Sequence, residues 1–102
     1  MSDWEQVAYT LDQVATLLEG RTDLDADGAI RLVLTGNENT HIPDDSSDLA
    51  NLYDDVTMAL VSDHADIYLG RDCDPLNANE INAEEGANAA GVAASRVSDY
   101  VR

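Results

Sequence analysis

Residues 46–72 read SSDLANLYDDVTMALVSDHADIYLGRD, and the fold class turns on this stretch. Leu49, Leu52, Tyr53, Val56, Ala59, Leu60 and Ile67 recur at three- and four-residue spacing, which lines them along one face of an α-helix. Ser46, Ser47 and Asp48 are side chains that accept from the free amides at a helix start. Asp44 and Asp45 add negative charge at the positive end of the helix dipole. Gly70 suits the left-handed residue that closes a helix, and Arg71 suits the carbonyl end. The spacing predicts one long central helix over about residues 47–69.

On the N-terminal side, Trp4, Val7, Ala8, Leu11, Val14, Ala15 and Leu18 form a second apolar stripe. With Ser2 or Asp3 as cap and Gly20 as stop, it predicts a helix over about 2–19. Trp4 and Tyr9 read as core or domain-edge packing. Residues 29–35, AIRLVLT, suit a short buried strand, yet Asp25 or Asp27 before them and Gly36 after them frame a helix equally well. No second strand is evident to pair with, which favours a helix over about 27–35. Asn37–Asp45 is polar and holds Pro43, so it reads as a loop. So does Cys73–Asn79, with Leu76 as its apolar anchor.

The C-terminal side predicts a helix over about 82–101, opened by a capping box of Asn82 with Glu85. Its inward positions are Ala83, Ala87, Ala90, Ala94, Val97 and Val101. A seam of such small residues permits close backbone approach but buries little area, at about 0.8 kcal/mol per buried methylene. Gly86 and Gly91 each cost the helix roughly 1 kcal/mol relative to Ala. A helix this weak gains from a partner, and a neighbouring subunit is one. The expected architecture is mainly α: a single domain of three to four helices, with a long central helix and an Ala-rich C-terminal one.

Charge narrows the function. The chain has 102 residues, 21 acidic and 5 basic, for a net charge of −16. Every basic residue is Arg, and 15 of the acids are Asp, scattered along the whole length. Such a carboxylate surface suits a salt-saturated cytoplasm, where its self-repulsion is screened. Binding to a nucleic-acid backbone needs clustered Lys and Arg, and the five arginines are far apart. An anionic membrane is disfavoured for the same reason. No apolar run approaches the length of a membrane span, and Met1–Glu5 opens without a basic signal-peptide region. Cys73 has no partner for an internal disulfide and, between Asp72 and Asp74, reads as an inert thiol.

Two constellations bear on chemistry. Asp23-x-Asp25-x-Asp27-Gly28-x-Ile30 matches the first eight positions of an EF-hand loop. Arg31 and Leu34 then stand where the pattern needs oxygen ligands. Asp23, Asp25 and Asp27 are therefore a weak candidate site for calcium, against a reading as solvated turn and helix cap. Asp63 and His64 interrupt the apolar stripe of the central helix, so that face needs polar partners there. Either the helix leaves the core at that turn or the pair makes a polar contact across a subunit interface. His64 with Asp63 or Asp66 lacks the paired His spacing of a zinc helix. No nucleophile has a base near it in sequence, no glycine-rich phosphate loop exists, and no carboxylate lies in an apolar run that would raise its pKa. The expectation is a protein that is not an enzyme.

The end of the central helix, Ala65-Asp66-Ile67-Tyr68-Leu69-Gly70-Arg71-Asp72, resembles a segment of the head–tail connector (adaptor) proteins of tailed viruses. The likeness takes in an acidic helix start, an Ala/Ile/Leu body and an aromatic-Leu-Gly-Arg stop, from Asp44 to Asp72, under a third of the chain. It implies a ring between portal and tail, in a virus of a halophilic archaeon, with copies of itself, the portal and tail-side neck proteins as partners. It also implies a place in the virion neck, assembled in the host cytoplasm. The expected interface is Asp63, His64, Tyr68, Arg71, Ala87, Ala90, Ala94, Val97 and Val101. The alternative is a soluble helical protein-binding or regulatory module of a halophilic archaeon, cytoplasmic and acting through the Ala seam or the Trp4 edge. A weak calcium-binding protein is the third reading.

Overall fold

The computed structural model describes residues 4–37, 47–70 and 74–100. Four α-helices carry the fold: α1 (Trp4–Gly20), α2 (Ala26–Thr35), α3 (Asp48–His64) and α4 (Ala83–Tyr100). No strand occurs among the described residues. The mainly α reading therefore holds, and residues 29–35 are helical. The reason is local. The Asp25 side chain accepts from the Gly28 amide at 2.6 Å, which closes the N-terminus of α2. Gly36 takes the left-handed conformation at φ 81° and donates its N–H to the Leu32 carbonyl, the ordinary use of glycine at a helix end.

Helix α3 begins as its sequence predicts, with the Ser47 side chain accepting from the Ala50 amide. Its far end differs. Residues Ala65–Leu69 form a π-helical turn, closed by the Gly70 N–H on the Ala65 carbonyl at 2.8 Å. A π turn bonds i to i+5 and is wider than an α turn, so it rotates the apolar face away from its expected path. Ile67 therefore falls out of the stripe and stands 40% exposed. Leu52, Val56 and Leu60 remain buried, and below them so are Asp63 and His64.

The core gathers Val7, Leu11, Val14 and Leu18 of α1 with Ile30 of α2 and Leu52, Val56 and Leu60 of α3. Against them α4 sets Ala83, Ala89, Ala90 and Ala93. Ala87, Ala94 and Val97 of the expected seam pack only partly buried on its edge, so the buried face of α4 is turned from the predicted one. Of the large rings, Tyr9 is 65% exposed; it is not core. The packing of α1 on α4 is the most extensive between any two helices, as close approach between small side chains permits.

Gly86 explains part of that closeness. A Cβ built on it would lie 2.9 Å from Leu18 Cδ1 and 3.3 Å from the Ala26 Cβ. Its cost in helix propensity is offset by a close contact that a larger residue would keep only by displacing the Leu18 side chain. Gly91 is different, because a Cβ there meets nothing within 4 Å. Between α3 and α4, Ala78–Glu80 forms a short 3-10 turn, and Ile81 after it is buried in the core. The Ile81 carbonyl accepts from the Ala26 amide at 3.0 Å, tying this connection to the start of α2.

Candidate functional site

The densest polar arrangement lies where the end of α3 meets α4. His64 is fully buried, and its Nε2 lies 2.7 Å from Glu85 Oε1. A carboxylate only accepts, so Nε2 is the donor in this contact. Nδ1 of the same ring has no hydrogen-bond partner among the described residues. One turn on, the rings of His64 and Tyr68 lie 4.9 Å apart, centroid to centroid. Tyr68 Oη accepts from Asn88 Nδ2 at 3.0 Å. Asp63, also buried, takes Arg96 Nη1 at 2.7 Å, and the same guanidinium reaches Asp66 Oδ2 at 3.4 Å.

Three rungs thus join α3 and its π turn to α4: His64–Glu85, Tyr68–Asn88 and Asp63–Arg96. Asp63 and His64 are consecutive yet reach Arg96 and Glu85, which stand about three turns apart on one line of α4, with Asn88 about 60° to the side of that line. Burial pushes the Asp63 carboxyl above the usual carboxylate range; Arg96 opposes that shift and the nearby Asp66 charge adds to it. The expectation that no carboxylate has an apolar setting is corrected here. Asp63 reads as exposed only if the helix leaves the core, and it does not.

The same geometry redirects the expected interface residues. Asp63, His64 and Tyr68 make their polar contacts within the chain, to α4, and His64 Nδ1, which has no partner among the described residues, is buried. Ala90 is fully buried in the core, and Ala87, Ala94 and Val97 lie at its margin. Arg71 and Val101 lie outside the described residues. Glu85 also departs from its expected part. The Asn82 side chain does accept from the Glu85 amide at 2.8 Å, but the Glu85 carboxylate turns to His64, leaving half of the capping box.

The three aspartates of the EF-hand-like run are separately engaged. Asp23 forms a two-pronged pair with Arg21, at 2.9 Å for each bond, and that pairing holds its carboxyl below the usual range. Asp25 caps α2. Asp27 lies inside α2, pairing with Arg31 Nε at 2.8 Å and accepting from the Tyr53 hydroxyl. Because α2 starts at Ala26, the run is helical where an EF-hand loop would wrap around its ion. Among the described residues no group of three or more acidic, His or Cys side chains is gathered as a metal site would need.

Asp27, Arg31 and Tyr53 make a second cluster that sequence reasoning missed. The Arg31 guanidinium lies 5.3 Å from the Tyr53 ring centroid and also approaches its hydroxyl at 3.4 Å. Burial, followed by the bond to Asp27, raises the Tyr53 pKa. The cluster ties α2 to α3 and contains no nucleophile set against a base. The signal available beforehand was the i, i+4 spacing of Asp27 and Arg31; Tyr53 lies 22 residues further on, beyond any local rule.

Among the described residues an extended depression lies on the outer surface. Helices α1 and α4 run antiparallel, and a trough follows their seam. One half is lined by Ala8, Tyr9 and Asp12 with Ala94 and Ser95, the other by Ala15 and Glu19 with Glu84 and Ala87. Gly91 lines both halves. Among the described residues no helix is long and apolar enough to cross a membrane. Set against known proteins, the chain matches no family model, no curated protein and no solved structure.

Proposed function

We propose that this is a non-catalytic assembly protein that packs against copies of itself, and that its specific form is a head–tail connector ring between portal and tail. The observation that carries the reading is the set of large apolar side chains left on a strongly acidic surface. Met58 is 70% exposed, and Trp4, Tyr9, Ile67 and Tyr68 are exposed as well. Ile67 and Tyr68 are consecutive in the π turn and together leave an apolar spot that another copy can cover once salt screens the net charge of −16. Ile67 lies in the Ala/Ile/Leu body and Tyr68 opens the aromatic-Leu-Gly-Arg stop, the two parts on which the connector resemblance rests. The interior supports a structural role: its buried polar groups join helix to helix, and neither polar cluster sets a nucleophile against a base.

Light scattering in about 2–3 M KCl, where the surface charge is screened, tests the reading. The expected result is a closed oligomer whose mass falls when Met58→Ser and Ile67→Ser are combined. A wild-type mass equal to one chain at every concentration would contradict self-assembly and leave a module that binds some other protein.

A further inference from the structure

We infer that the hollow where α1, α2 and the start of α3 meet receives Ile67 and Tyr68 of a second copy of this chain, in a head-to-tail contact. The hollow is lined by Tyr9 of α1, Val33 and Leu34 of α2 and Leu49 of α3, with Gln13 and Asp48 on its polar margin. Its volume is about 320 Å³, enough to admit large side chains. Tyr9 is 65% exposed, and Val33, Leu34 and Leu49 are each half-buried. The cause lies at the end of α2. Val33 and Leu34 follow the buried Ile30 by three and four residues, on the same face of the helix, but the core covers them only in part. An apolar surface with a polar margin is one that a partner covers.

The occupant follows from where a second apolar surface lies. Ile67 and Tyr68 are consecutive in the π turn, 40% and 41% exposed. From Leu49 to Ile67 the helix and its π turn run about 25 Å at 1.5 Å per residue, in a molecule whose extents are 34 × 32 × 24 Å. Hollow and patch therefore lie toward opposite ends of α3. A contact of hollow with hollow, or of patch with patch, would leave the other surface bare in every copy. A contact of patch with hollow covers both, and each added copy presents the same pair again. Asp66 beside the patch pairs with Arg96 at 3.4 Å, so the patch brings its own counter-charge. The attraction is apolar, and salt that screens the net charge of −16 leaves it in force. Self-assembly, the proposed function, is the premise; the two faces and the polarity of the contact are added to it.

Sedimentation velocity of the full chain in about 2–3 M KCl tests this with two variants, each checked for helix content by circular dichroism. Tyr9→Asp puts a charge in the hollow and Ile67→Asp puts one in the patch. A carboxylate buried without a partner opposes the contact even where long-range charge is screened. The wild type is expected to exceed two chains, and each variant alone to sediment as one chain. Mixed in equal amounts, the variants are expected to form a pair of chains and nothing larger, because one intact hollow and one intact patch remain between them. Leu34→Asp and Tyr68→Ser repeat the test if either first variant fails to fold. A folded variant that keeps the wild-type mass would overturn the proposal, and a loss of stability with it would mean that the chain's own residues fill the hollow. So would a mixture that stays at one chain, or a wild type of two chains, in which hollow and patch meet reciprocally across a two-fold axis. A wild type of one chain at every concentration would instead refute self-assembly itself.

Discussion

Gly86 and Gly91 stand five residues apart on one helix and do opposite things. By propensity alone both should be better as Ala, by about 0.5–1 kcal/mol. At Gly86 the added methyl meets a fully buried Leu18, so Gly86→Ala is expected to gain nothing and Gly86→Val to lose about 1–3 kcal/mol by overpacking. Gly91→Ala is expected to gain the full propensity increment. Urea denaturation of the three variants checks this, and equal gains at both positions would refute the close contact. Asp63 gives a pH prediction. Its folded-state pKa is raised by burial, so the stability it contributes is present below the ordinary carboxylate pKa and is lost as pH rises through the raised value. Asp63→Asn should therefore be at least as stable as wild type near neutrality. Its advantage should shrink on acidification through the carboxylate range. A loss of more than about 1 kcal/mol near neutrality would mean that the Arg96 pair outweighs desolvation.

At the scale of elements, the helix boundaries were legible because capping chemistry is local. Ser47, Asp25 and Gly36 each act within a few residues of their own position and open or terminate a helix as expected, whereas Gly70 closes the π turn at φ 85° and ψ 175° in place of the left-handed helical cap. The Asp25 cap is worth about 0.5–2 kcal/mol, so Asp25→Ala should lower the unfolding free energy by that much, while Asp23→Ala, whose partner is the exposed Arg21, should leave it nearly unchanged. Equal losses would point to a shared role for the two carboxylates, as an ion site would require. The partners of Asp63 and His64 were not legible. Their need for partners follows from the interrupted stripe, but that Glu85 and Arg96 meet that need depends on how α4 packs, 21 and 33 residues away. The π turn was hidden for a related reason: Ala65–Leu69 has an ordinary helical composition, and nothing local marks the extra residue. His64→Ala, which opens a buried space and releases Glu85, should cost about 2–4 kcal/mol.

At the scale of the whole molecule, charge and packing oppose each other. Twenty-one acids on 102 residues repel one another in dilute buffer, and the core that resists them is made largely from Ala on the α4 side. Stability should therefore rise steeply with KCl, by screening, and much less with an uncharged osmolyte. The same screening lets acidic subunits approach one another. The most direct test of the assembly reading is sedimentation velocity of the wild-type chain in about 2–3 M KCl over a hundredfold range of concentration. A single boundary of a closed oligomer, unchanged in coefficient as the protein is diluted, is the predicted result. A boundary at the coefficient of one chain throughout would contradict it.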